Sequence, residues 1–125
     1  MKKKLNILIF TTLLMAVSTL VSAQDDQSLA SFILRNHEAG ALPTVGNSDA
    51  KITVVEFFDY RCGYCAKQAK DFEKLLNASE NVKIVYLEWP IFGDISDTAA
   101  KIALIIWDNY PDKYFDIHNG LMKLG

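Results

Sequence analysis

The chain has 125 residues, 13 basic and 15 acidic side chains and a formal charge of −2. That length confines it to one domain, and the charge excludes the basic surface that nucleic acid or an anionic membrane would need. Half of the residues are hydrophobic, enough to build a core. The N-terminus reads as an address. Met1-Lys2-Lys3-Lys4 is basic, Leu5 to Leu20 is almost wholly apolar, and Val21-Ser22-Ala23 supplies small residues before Gln24 and the acidic pair Asp25-Asp26. Residues 1–23 are therefore expected to be a signal peptide cut after Ala23. An uncleaved N-terminal anchor is the alternative. Residues 24–125 are the expected mature domain, periplasmic or secreted. Losing three lysines makes it more acidic.

Gln27 to His37 carries Leu29, Phe32, Ile33 and Asn36 at helical spacing, and Gly40 can end that helix. His37 reads as a solvated or capping residue. Ala41 to Lys51, with Pro43, Gly46, Asn47 and Asp49, reads as a loop. Ile52 to Phe58 is apolar on both faces, the pattern of a strand in the middle of a partly parallel sheet. Glu56 interrupts it. A carboxylate there either finds water near a strand end or sits buried and holds a proton.

Gly63 to Asn77 predicts a helix with Cys65, Ala69, Phe72 and Leu76 on its inner face and Lys67, Lys70, Asp71 and Lys74 outside. The sequon Asn77-Ala78-Ser79 is short enough to be accidental. Asn81 to Glu88 predicts a second strand, and a right-handed crossover would make the two strands parallel. After Trp89-Pro90-Ile91-Phe92-Gly93, any of Asp94, Ser96 and Asp97 could cap a helix. Thr98 to Tyr110 is apolar nearly all round and predicts a buried helix. Pro111 suits the first turn of a last helix running to about Lys123, with Tyr114, His118, Leu121 and Met122 along one face. His118 on that face reads as a packed core residue.

The chain's two cysteines, Cys62 and Cys65, stand where the strand pattern gives way to the helical one. A Cys-x-x-Cys at a helix N-terminus sets the first sulfur beside unpaired N–H groups and the positive end of the helix dipole, which favour its thiolate. The second sulfur lies within reach on the first turn, as thiol–disulfide exchange requires. A structural disulfide is the bland alternative, but so small a loop removes little unfolded-state entropy. Two thiolates are also half of a zinc site. Its remaining ligands would be His37 and His118, neither at zinc-ligand spacing. No cofactor is implied.

The run from Val45 through Ile52-Thr53-Val54-Val55-Glu56-Phe57-Phe58-Asp59-Tyr60-Arg61 to Cys62-Gly63-Tyr64-Cys65 resembles the DsbA-type thiol:disulfide oxidoreductases, a secreted branch of the thioredoxin-fold superfamily. Lys113-Tyr114-Phe115-Asp116-Ile117-His118-Asn119-Gly120-Leu121-Met122 resembles a motif of that family's inserted helical domain. The resemblance implies an α/β fold: a thioredoxin-like βαβ unit, then the start of the helical insertion from about residue 94, without the C-terminal ββα part. It implies that Cys62 is the exposed nucleophile, Cys65 resolves the mixed disulfide and Glu56 is the buried acid. Gly63 and Tyr64, in place of Pro-His, would make a milder oxidant, and Arg61 would either restore some positive field or be an ordinary exposed charge beside the site. Expected partners are cysteine-containing exported proteins and a membrane redox protein that recycles the pair. A homodimer is also possible in such relatives, and no nucleic acid is implied. Family members continue into a strand preceded by a cis-proline, a role that Pro43, Pro90 and Pro111 cannot fill. The alternative is a truncated, non-catalytic thioredoxin-like fragment that needs another chain to complete its sheet.

Overall fold

The structure, a computed structural model, describes residues 28–125. The expected leader, its cleavage site and the expected helix start at Gln27 lie outside the described residues. In chain order the elements are α1 (Leu29–Glu38), β1 (Thr44–Gly46), β2 (Ile52–Phe58), α2 (Gly63–Ala78), β3 (Val82–Glu88), α3 (Asp94–Asn109), a 3-10 turn (Pro111–Lys113) and α4 (Tyr114–Met122). The chain divides into two units between Phe32 and Ile33. The described part of the first unit is the start of α1, where the Ser31 N–H donates to Ser28 Oγ at 3.2 Å. The sheet, α2 to α4 and both cysteines belong to the second unit.

β2 and β3 pair in parallel, with Glu56 beside Tyr86 and Phe58 beside Glu88. The strand–helix–strand unit is thus the crossover that the pattern predicts. β1 was expected to be loop. It pairs antiparallel with β3, Val45 beside Ile84, giving the strand order β1-β3-β2. Three residues flanked by Pro43 and Gly46 carry no alternation long enough to read as a strand. Their ladder is specified by β3, a non-local partner.

The pattern of β2 is that of a middle strand, and the resemblance leaves it with one open side where the family's later strands would pair. Among the described residues β3 is the central strand, with Ile84 and Val85 both at 0% exposure. β2 lies at the edge, and its Phe57 is 45% exposed. The alternation puts Val54, Glu56 and Phe58 on one face of the sheet with Ile84 and Tyr86. On that face lies the core of Phe58, Tyr60, Ala69, Ile84, Tyr86, Ala103, Tyr114 and Met122, with Cys65, Phe72 and Leu76 packed against it. The inner stripe predicted for α2 is therefore the one buried.

α3 starts four residues earlier than the expected Thr98, and its N-cap is Gly93, which supplies no side-chain hydrogen bond. None of the three expected caps fills that position. Asp94 and Asp97 instead stand in the first turn, complementing the helix dipole. Nor is α3 buried all round: Ser96, Ala100 and Ala103 form its buried stripe, while Ile95, Ile102 and Ile105 face outward. Small residues on the inner stripe let the helix approach closely, and the apolar excess is left outside. Pro111 opens the turn before α4, where Tyr114, His118 and Met122 are buried as the spacing predicts. Pro43, Pro90 and Pro111 all follow trans peptide bonds.

Two glycines make opposite demands. Gly46 has φ +116° at the end of β1, and a Cβ there would stand 2.7 Å from the Val82 carbonyl oxygen. Gly120, inside α4, has nothing within 4 Å of the same position. Gly46→Ala is expected to destabilise the fold by about 1–3 kcal/mol. Gly120→Ala should stabilise it by about 0.5–1 kcal/mol. Urea unfolding of the two variants checks both signs, and equal effects would refute the contrast.

Candidate functional site

Both cysteines are unbridged and partly exposed. Beyond β2 the chain turns so that the Cys62 N–H donates to the Asp59 carbonyl at 3.0 Å. Cys62 is then the N-cap of α2, with extended backbone, and its carbonyl accepts the Ala66 N–H at 3.0 Å. Its sulfur accepts the Cys65 N–H at 3.3 Å. This is the cap geometry of a serine with sulfur in place of oxygen.

The two thiols diverge in acidity. Hydrogen bonds from the Cys65 thiol, the Cys65 N–H and the Tyr64 N–H pull Cys62 below an ordinary thiol, against the opposing charge of Asp59. Burial and the bond that it donates to Cys62 push Cys65 up, and the charge of Glu56 adds to this. One sulfur is prepared as a thiolate and the other as a thiol. Gly63 opens the helix, and Tyr64 is 84% exposed with Lys67 Nζ 5.2 Å above its ring.

Asp59 fastens this turn to the loop that follows β3. Its Oδ1 accepts the Arg61 N–H at 2.7 Å and the Ser96 hydroxyl at 2.8 Å. Its Oδ2 accepts the Ile91 and Phe92 N–H groups at 2.8 and 3.0 Å. Burial pushes this carboxyl up, but the four hydrogen bonds outweigh it and hold the group below the usual range. Arg61 donates from Nη1 to the Phe92 carbonyl at 2.8 Å, so this candidate tuning residue braces the same loop. Phe57, Trp89, Ile91 and Phe92 consequently surround the cysteines, lining an apolar depression of about 130 Å³.

Behind the cysteines lies a buried polar group. Glu56 is 9% exposed, its Oε2 has no hydrogen-bond partner, and burial pushes its pKa from 4.5 to about 7. Glu88 is raised to about 8, chiefly by burial, although the Tyr60 hydroxyl donates to its Oε1 at 3.2 Å. The same hydroxyl lies 3.2 Å from His118 Nδ1, whose ring is 0% exposed. Burial lowers the His118 pKa to about 4, so the ring is neutral. His37 Nδ1, by contrast, is 3.0 Å from Thr44 Oγ1 on the other side of the Pro43 turn. Neither histidine is gathered with the cysteines, and among the described residues no three His, Cys, Asp or Glu side chains cluster to hold a metal.

The sequence reading therefore missed Asp59, Tyr60 and Glu88, and gave His118 a packing role alone. Asp59 and Tyr60 lay inside the motif, but their partners are about thirty to sixty positions away in the chain. Glu88 had a local signal. It is an acid closing an apolar strand, in register with Phe58.

Comparison with known proteins agrees with this geometry. The thioredoxin family model matches residues 38–123, and the chain belongs to that family. It is 32% identical over 85 residues to the disulfide bond formation protein D of Bacillus subtilis, covering 65% of this chain and 38% of that protein. A periplasmic thioredoxin-like protein of Salmonella enterica serovar Typhimurium shares 33% identity at a TM-score of 0.66, over 67% of this chain and 48% of that one. The thiol-disulfide exchange protein alpha-DsbA2 of Wolbachia pipientis shares 29% identity at a TM-score of 0.63, over 73% and 50%. The expected likeness to DsbA-type proteins stands. The chain spans about half the length, or less, of these relatives.

Glu56 and the half-buried Glu88 give stability a distinctive pH dependence. Glu56 and Glu88 bind protons more tightly when folded, so their contribution is complete below about pH 4.5 and is lost as pH rises through about 7 and 8. His118 acts oppositely, adding stability between about pH 4 and 6.5. Above that range the acids act alone. The disulfide-bonded chain should lose roughly 2 kcal/mol between about pH 6.5 and 8. The double variant Glu56→Gln, Glu88→Gln should show a flat profile there. Urea midpoints across this range measure the difference, and matching profiles would refute it.

Proposed function

We propose that the protein is an exported thiol:disulfide oxidoreductase that exchanges disulfides with cysteine-containing protein substrates through Cys62 and Cys65. The observation that carries this is the opposed acidity of two sulfurs on one helical turn, with Cys62 capping α2 and Cys65 donating to it. In the oxidised form, a substrate thiolate attacks the Cys62 sulfur and expels Cys65 as a thiolate. Cys65 then takes a proton from Glu56. A second substrate thiolate attacks the mixed disulfide, releases Cys62 as the stabilised thiolate and leaves the substrate with its disulfide. Run backwards, the same steps reduce a substrate.

Glu56 suits the proton transfer because it titrates near neutrality and its charge is felt at Cys65. Gly63 and Tyr64 add no positive charge between the cysteines, which supports a milder oxidant. Arg61 supports the site by bracing the loop at Phe92. The apolar depression beside Cys62 suits the side chains of an unfolded substrate.

Export is supported by the leader-like residues 1–23 and by the periplasmic relative. Residues 24–125 are then the mature domain, its helical insertion beginning near Asp94. A membrane redox partner that resets the pair, and a homodimer, belong to the same reading. Among the described residues the side of β2 away from β3 pairs with no strand, and this supports a second reading in which a further strand must pair there before catalysis.

Thiolate absorbance against pH tests the site directly. Cys62 should titrate well below the free-thiol value of about 8.5, and Cys62→Ser should lose that transition together with exchange on a reduced, unfolded peptide. Given a disulfide-bonded peptide instead, Cys65→Ser should accumulate a mixed disulfide, because the Cys62 thiolate displaces one peptide thiol and no second cysteine resolves the product. Exchange that persists in Cys62→Ser would sink the assignment.

A further inference from the structure

Glu56 and Glu88 stand on adjacent parallel strands, on the same face, two residues apart in register, since Glu56 pairs with Tyr86 and Glu88 with Phe58. Each has a carboxylate oxygen without a hydrogen-bond partner, and the charge of one raises the pKa of the other. The groups that face Glu88 are Glu56 from β2, Asp59 and Tyr60 from the turn beyond it, and Tyr114 from α4. His118 of α4 faces it through Tyr60. Among the described residues the salt bridges are Lys74–Asp71, Lys101–Asp97 and Lys113–Asp112, all at the surface. No Lys or Arg among the described residues forms a salt bridge with either acid. Because the Glu56 charge is felt at Glu88, ionising the first makes the second harder to ionise.

The Tyr60 hydroxyl has one hydrogen and lies 3.2 Å from both Glu88 Oε1 and His118 Nδ1, with the Tyr114 hydroxyl as a further polar neighbour. We propose that Glu88 is a second proton-holding carboxyl behind the cysteines, its protonation favoured by the charge of Glu56 and switched by the Tyr60 hydroxyl between Glu88 and His118. When Glu88 is ionised, the hydroxyl donates to its Oε1. When Glu88 takes up a proton, its own O–H donates to Tyr60 Oη, and the hydroxyl hydrogen swings to His118 Nδ1. One proton is gained at Glu88 and none is lost elsewhere. The neutral ring makes the second arrangement available.

Glu88 acts on the sulfurs through Glu56, and to that extent the inference rests on the exchange reading. When Glu56 gives its proton to Cys65, the negative charge left behind raises the affinity of Glu88 for a proton. The pair thus keeps a proton close by for the reverse transfer. His118, read from the sequence as packing, becomes the resting acceptor of the switch.

Carbon NMR of glutamate side-chain carboxyls follows both acids through a pH titration, with the cysteines oxidised or reduced by dithiothreitol. The expected result is a two-step titration seen at both residues, with midpoints that change with the redox state of the pair. Glu56→Gln should collapse Glu88 to one step at lower pH than the upper step of the parent. Tyr60→Phe should raise the Glu88 midpoint, because the donor to its charged form is gone. A Glu88 midpoint in the ordinary range near about 4, or one indifferent to Glu56→Gln and to redox state, overturns the proposal. Failure of the parent chain to exchange disulfides with peptide would count against the exchange reading alone, because dithiothreitol sets the redox state without a protein substrate.

Discussion

The Asp59 carboxylate is the constraint on which this site depends. It lies one residue beyond β2, is almost wholly buried, and gathers donors from Arg61, Ile91, Phe92 and Ser96. Those donors come from the redox turn, the loop after β3 and the first turn of α3. A buried charge with four hydrogen bonds is held at one position, because each bond lost would leave desolvated charge behind. The cysteine turn and the aromatic loop are therefore set relative to each other by a single side chain. Arg61 adds a second brace across the same gap.

The sheet supplies the opposite kind of electrostatics. Asp59 is over-satisfied and stays charged, whereas Glu56 and Glu88 are under-satisfied and hold protons near neutrality. Three carboxyls at the C-terminal end of β2 and β3 are thus sorted by hydrogen bonding rather than by residue type. The nearest, Asp59, opposes the Cys62 thiolate by its charge, and the cap donors of α2 outweigh it.

Much of this was legible in the sequence, because the signals were local. The apolar run into Cys62, the periodicity of Cys65, Ala69, Phe72 and Leu76, and the proline opening the last turn each depend on neighbours within a few positions. The βαβ unit followed from them. β1 was hidden because three residues carry no period. α3 was misjudged in its burial for a related reason. Its hydrophobicity is high all round, and the buried stripe is chosen by the small residues Ser96, Ala100 and Ala103, not by the isoleucines. In the site, the cysteines and Glu56 announced themselves as chemical oddities in their local patterns. Asp59, Tyr60, Glu88 and His118 are ordinary until the fold brings distant positions together.

Trp89 is placed to report on this chemistry optically. It continues the β3 ladder by donating its N–H to the Phe58 carbonyl at 2.8 Å, meets Phe57 edge-on at 6.0 Å, and lines the depression that holds both sulfurs. The chain's other indole, Trp107, is pinned through Nε1 to the Gly40 carbonyl at 3.1 Å, against a different part of the fold. A disulfide quenches a nearby excited indole far more than a pair of thiols does. The emission of Trp89 should therefore be dimmer with a Cys62–Cys65 disulfide than with two thiols, with Trp107 as a constant background. That difference should vanish in a Trp89→Phe chain.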